Sequence, residues 1–144
     1  MINYTEKGWG LHAAIRDAGH RLSRKDGVFV SDDDVAVQAI IDNYDELAEA
    51  KKHARARVKQ VAAEKVSEIY TFIDPESTDI VSFYNYTIDI YQTIKPASRQ
   101  TISGDLLLFK NIRDAAAAAI TGINAMTDWT LVSQYDAVST PSWP

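Results

Sequence analysis

The chain has 144 residues, with 15 Lys and Arg against 20 Asp and Glu and a formal net charge of -5, which gives it length enough for a core and too acidic a balance for a general nucleic-acid coat. It contains no cysteine, which excludes structural disulfides, thiolate zinc sites and cysteine nucleophiles. The longest apolar stretch, residues 106–126, is broken by Lys110, Asn111, Arg113, Asp114 and Asn124, so no membrane span is expected, and the first residues lack the pattern of a signal peptide.

In chain order, residues 2–5 are β-compatible and run into Glu6-Lys7-Gly8, which predicts a brief strand and a turn. Trp9, Leu11, His12 and Ile15 fall near helical spacing, and Gly19 is placed to end that helix in a left-handed cap. Asp26-Gly27 between two β-compatible runs predicts a hairpin, because both residues tolerate positive φ. Ser31 or Asp32 is the expected cap of a second helix whose acidic start suits the helix dipole and whose apolar face is Val35, Ala36, Ala39 and Ile40. Residues 1–44 therefore read as a small β-α-β-β-α module, short for an independent fold.

From Asp45 to about Ile73 the composition shifts to Ala, Glu, Lys and Arg, with Leu47, Ala50, Ala54, Val58, Val61, Ala62, Ile69 and Phe72 on one face of a long helix that Pro75 stops. Ile80, Phe83, Tyr84, Thr87, Ile88, Tyr91 and Ile94 then form a helical stripe, although Tyr84, Tyr86, Ile88 and Ile90 would equally line one face of a strand. Helix is the favoured reading, and the strand alternative stays open. After Pro96, Ser103 can cap a long helix in which Phe109, Ile112, Ala116, Ala119, Ile123 and Met126 alternate three and four apart, the seam pattern of a coiled coil. That seam can pack within one chain or between copies, so a homo-oligomer is an open outcome. A short helix from Asp128 to Val138 and an extended tail over 139–144, with Pro141, Trp143 and Pro144, close the chain. The expected class is α+β, predominantly helical: a module at 1–44, a helical region of three to four helices at 45–138, and the tail.

Chemistry is sparse. His12, His20 and His53 form no metal or triad pattern; His12 and His20 could approach the acidic run at residues 32–34, but a metal site needs three or four converging ligands. That acidic run lacks the spacing of a calcium loop, and helix-start acidity accounts for it. Gly8 and Gly10 lack the Lys-Ser/Thr ending of a phosphate loop, and no hydrolase, metalloprotease or redox motif occurs. No catalytic residue, metal ligand or cofactor site is assigned, and no enzyme is expected.

Two surfaces remain. Lys51, Lys52, Arg55, Arg57 and Lys59 make a basic face on the long helix, which a nucleic acid could use; no interleaved aromatic or amide side chain reads bases there, and pairing with acidic neighbours is the plainer account. Trp9, Phe29, Tyr84, Tyr91, Trp129 and Trp143 are the candidate partner contacts, each of which also suits core packing, and stacking on sugars is a weaker use of the same rings.

The residues Tyr4-Thr5-Glu6-Lys7-Gly8, Gly10-Leu11-His12, Ala18-Gly19-His20, Asp26-Gly27-Val28, Asp33-Asp34 and Val37-Gln38-Ala39-Ile40-Ile41-Asp42 together resemble the opening segment of small tail proteins of tailed bacteriophages, the tail-fibre assembly and XkdW-type group. The resemblance covers roughly the first third of the chain. It implies a non-enzymatic protein that binds a tail-fibre or baseplate protein, as an assembly chaperone or a small structural component. It also implies residence in the host cytoplasm during assembly or in the virion tail. The competing reading is a phage-encoded regulator that binds a host protein or nucleic acid through the basic helix at residues 51–65.

Overall fold

The computed structural model describes residues 1–8, 10–71, 74–76, 79–80, 82–85, 87 and 104–144. Its elements are α1 (Gly10–Asp17), β1 (Leu22–Lys25), β2 (Val28–Ser31), α2 (Asp34–Asn43), α3 (Glu46–Ser67), α4 (Asp105–Ala125) and α5 (Trp129–Ser133). The class is α+β, with a two-stranded antiparallel sheet followed by helices. The chain forms two compact units, residues 1–50 and 51–144, and the division between them falls inside α3.

Unit 1 departs from β-α-β-β-α at its first step, because residues 2–5 form no strand. The backbone of Asn3 pairs instead with one side chain: its N–H donates to Gln38 Oε1 at 2.7 Å and its carbonyl accepts from Gln38 Nε2 at 3.2 Å. A single amide satisfies one residue and cannot propagate a ladder. Leu11 and Ile15, one turn apart on α1, are buried, and Gly19 ends the helix at φ 87°. Gly19 N–H donates to Arg16 O at 2.9 Å and His20 N–H to Ile15 O at 3.1 Å, the paired bonds of a Schellman cap.

Asp26 and Gly27, at φ 52° and 84°, make the expected two-residue turn, with Lys25 opposite Val28, Arg24 opposite Phe29, Ser23 opposite Val30 and Leu22 opposite Ser31. The cap of α2 is Asp33, whose carboxylate accepts from the N–H groups of Val35 and Ala36, in place of the expected Ser31 or Asp32. This fixes the helix start and with it the buried face, which is Val37 and Ile41; Val35 is left 82% exposed, and of the four residues expected inward Ile40 is partly buried against the core. Ile2, Leu11, Ile15, Val37 and Ile41 form that core, with Tyr4, Leu22, Phe29 and Tyr44 packed around it.

In unit 2, α3 buries Ala54, Val58, Val61, Ala62, Ala63 and Val66, close to the expected stripe. The helix ends at Ser67, short of Ile73, where the β-branched and aromatic residues from Ile69 onward are poor helix formers and Ser67 Oγ donates to Glu64 O at 2.6 Å. Residues 80, 82–85 and 87 are helical, which resolves the ambiguity in favour of helix for those positions; Tyr86, Ile88, Ile90, Tyr91 and Ile94 lie outside the described residues. Ile80 and Tyr84 are buried while Ser82 and Asn85 are exposed, as the stripe requires.

On α4, Phe109, Ile112, Ala116, Ala119 and Ile123 of the seam are buried within the chain. Phe109 is the aromatic centre, with Tyr84 edge-on at 5.0 Å, Tyr70 tilted at 5.8 Å and Phe83 stacked at 5.9 Å between ring centroids. Lys51 Nζ reaches Asn124 O while Tyr70 meets Phe109, so α3 and α4 run antiparallel. Ser103 lies outside the described residues; Gly104, at φ 63°, precedes α4 and gives no side-chain cap. The expected helix at 128–138 is shorter: Asp128 caps α5, which stops at Ser133, and Asp136 turns the chain by accepting from the N–H groups of Val138 and Ser139.

Candidate functional site

An open groove of about 700 Å³ lies in unit 1, lined by His12, Ala13, Ile15 and Arg16 of α1 and by residues 20–23 of the following loop and β1. The Schellman cap creates it. By reversing the chain at Gly19, the cap sets β1 beside the helix it has just ended. Arg16 and Arg21 bring permanent positive charge to the groove, although the chain as a whole carries a net charge of -5. Arg16 Nε sits 3.4 Å from Asp17 Oδ1 in a well-exposed contact that solvent weakens, and the Arg21 side chain has no partner among the described residues.

The two histidines are held from outside the groove. His12 Nε2 lies 3.0 Å from the Tyr4 hydroxyl, and Tyr4 stacks on Phe29 at 4.3 Å. Partial burial, with the Glu6 carboxylate adding to it, pushes the Tyr4 phenol above its ordinary pKa. His20 Nδ1 lies 3.4 Å from Asp32 Oδ2, the approach that the sequence allowed. The other oxygen of Asp32 accepts from the N–H of Arg21 at 2.8 Å; that bond first, and the His20 contact with it, hold the Asp32 carboxyl below the usual carboxylate range. Asp32 therefore acts as a tie across the start of the hairpin, Asp33 as a cap and Asp34 as an acceptor for the Ser31 N–H and hydroxyl. Among the described residues, no three His, Asp or Glu side chains converge as metal ligands.

Of the six candidate contacts, Trp9 and Tyr91 lie outside the described residues. Tyr84 is 3% exposed, sits in the core against Phe109, and carries the Arg113 guanidinium 4.4 Å above its ring. Phe29 is half-buried between Tyr4 and Arg24. Trp143 is half-buried too: its indole N–H donates to Ala137 O at 3.0 Å and Lys65 lies 5.8 Å over its ring, so the tail folds onto its own unit. Trp129 is half-buried at the start of α5, and Leu131 and Val138 are each 56% exposed.

The basic face is largely engaged. Lys51 Nζ donates to Asn124 O and Arg55 to Asn124 Oδ1, both at 2.8 Å; Arg57 faces Glu64 at 3.4 Å and Lys59 faces Asp79 at 3.2 Å. Lys52 is exposed. No family model, no curated protein and no solved structure matches this chain.

The residues of the phage-tail resemblance are builders of unit 1. Tyr4 stacks, Gly19 caps, Asp26-Gly27 turns, Asp33 caps, Gln38 pairs Asn3, and Leu11, Val37 and Ile41 fill the core. Gly10 belongs with them, since a Cβ there would overlap the Tyr44 hydroxyl. The groove itself was not foreseen. His12 and Arg16 stand four apart on α1, which hints at one polar side, but only the reversal at Gly19 brings His20 and Arg21 beside them.

Proposed function

We propose that this chain is a non-enzymatic bacteriophage tail protein that binds a tail-fibre or baseplate protein, as an assembly chaperone or a small structural component. The observation that carries the binding reading is the set of large apolar side chains left in solvent beside well-closed cores: Val35 at 82% exposure in unit 1, and Leu107, Leu108, Leu131 and Val138 in unit 2. A single exposed residue such as Val35 is ordinary surface, whereas adjacent ones such as Leu107 and Leu108 favour a covering partner. The tail assignment comes from the resemblance over residues 1–45, whose quoted positions have a coherent folding purpose in unit 1. Lys51, Arg55, Arg57 and Lys59 each already face a partner within unit 2, and the net charge of -5 opposes phosphate binding, which together weigh against a nucleic-acid surface on α3.

Co-expression with the tail-fibre protein of the same genome tests this reading. The fibre is expected to be soluble and trimeric with the chain and aggregated or monomeric without it if the chain is a chaperone. A structural component is expected in purified particles. A fibre that assembles equally well without the chain, together with particles that lack it, overturns both forms.

A further inference from the structure

We propose that the groove beside β1 is a strand-addition site for an extended acidic segment of a partner protein. The register decides which backbone groups are offered. In a two-residue hairpin the pair flanking the turn, Lys25 and Val28, is the hydrogen-bonded one, so Ser23 and Val30 bond likewise and Arg24–Phe29 and Leu22–Ser31 are the alternate pairs. The N–H and C=O groups of Leu22 and Arg24 therefore point away from β2, along the edge of a sheet that has no third strand among the described residues.

The two edges of this sheet differ. On β2 the outward N–H of Ser31 is taken by Asp34 Oδ1 at 3.2 Å and only that of Phe29 is left, while no bond occupies the outward N–H groups of Leu22 and Arg24 among the described residues. The groove meets this edge at its N-terminal end, with Leu22 and Ser23 in its lining, and Arg24 continues the edge beyond it. An exposed edge strand recruits another strand unless something blocks it.

Charge selects the occupant. Arg16 and Arg21 line the groove, and Arg24 and Lys25 lie on the exposed strand itself. Even with the Asp17 and Asp32 carboxylates beside Arg16 and Arg21, these four cations leave the edge net positive, so self-pairing along it is disfavoured and an incoming strand that carries carboxylates is favoured. Main-chain bonds to Leu22 and Arg24 would supply affinity, and the arginines the preference for acidic side chains.

This site rests on the reading of the chain as a binding protein, and its test is separable from the test of that reading. The probe is a short blocked peptide alternating glutamate with threonine, titrated into the full-length chain with NMR amide shifts and fluorescence anisotropy as readouts. The expected result is shifts and slowed exchange at the Leu22 and Arg24 amides, with binding that weakens as salt rises. The lysine–threonine counterpart is expected not to bind. Arg24→Pro removes an outward N–H that the hairpin does not use, and proline is tolerated at such an edge position. It is expected to abolish binding, while Arg24→Ala keeps the N–H and most of the affinity. Reversing both groove charges, Arg16→Glu with Arg21→Glu, is expected to weaken binding by about tenfold or more. The proposal is overturned if the acidic peptide does not bind, if the lysine peptide binds equally, or if Arg24→Pro binds as Arg24→Ala does. Failure of the peptide with an intact effect on fibre assembly removes this site alone; peptide binding with no effect on the fibre removes the tail-protein reading alone.

Discussion

Unit 1 closes its core with five buried apolar side chains, and around them polar side chains take named backbone groups: Gln38 at Asn3, Lys7 at the carbonyls of Asp42 and Tyr44, Asp32 at Arg21, Asp33 at the start of α2. Unit 2 relies on apolar area, with the α4 seam, the buried stripe of α3 and the aromatic set around Phe109. The contrast follows from size. A unit of 50 residues buries a smaller share of its surface, so directional bonds that fix turns and caps carry more of its specificity, whereas long helices align many apolar positions at once. The two units should therefore fail by different substitutions.

The largest effect is expected in unit 2. Phe109→Ala removes the ring that Tyr70, Phe83 and Tyr84 surround and should cost about 3–5 kcal/mol, read from denaturant unfolding followed by circular dichroism. A cost near that of a surface change would mean that apolar packing does not dominate unit 2.

A smaller steric effect is expected in unit 1. Gly10→Ala drives a methyl group into the Tyr44 hydroxyl and should cost about 1–3 kcal/mol. Adding Tyr44→Phe removes the oxygen, so the double variant should recover most of that loss and gain from alanine's better helix propensity. A double variant no more stable than Gly10→Ala would locate the problem elsewhere.

Asp33→Ala should cost about 1 kcal/mol through loss of the α2 cap, and Ser31→Ala, where the sequence also offered a cap, should cost less. Amide exchange at Val35 and Ala36 reports which side chain caps. Equal effects at both positions would contradict the assignment.

The smallest effect is on pH dependence. The Asp32 carboxyl is lowered chiefly by the Arg21 N–H, and the Asp136 carboxyl, in unit 2, by the N–H groups of Val138 and Ser139. A carboxylate whose folded pKa lies below its unfolded value of about 3.9 stabilises the fold fully above that value, and the contribution is lost as pH falls through the lower folded pKa. Denaturant midpoints should therefore drop on acidification below about pH 4. The drop should shrink in Asp32→Asn and in Asp136→Asn, and an unchanged acid response in both variants would assign it to other carboxylates.

What could be read from residue order was local. Gly19 as a left-handed cap, Asp26-Gly27 as a tight turn, and the stripes of α3 and α4 follow from φ preferences and helical period, and these are properties of a few consecutive residues. The misses were also physical. Residues 2–5 have strand composition, but the Asn3 backbone is taken by the Gln38 side chain, and α2 takes Asp33 as its cap where Ser31 or Asp32 was expected, which turns Val35 outward and Val37 inward.

The sequence by itself determined the class, the hairpin and the helical stripes, because short-range sterics and periodicity decide them. Only the tertiary structure decided that the seam of α4 is buried inside one chain, that Trp143 folds back under Lys65, that the basic face of α3 is engaged, and that Arg16 and Arg21 meet beside the open edge of β1. Each of these depends on which distant segments are brought side by side. That choice is made by the packing of whole elements and leaves no trace in the spacing of neighbouring residues.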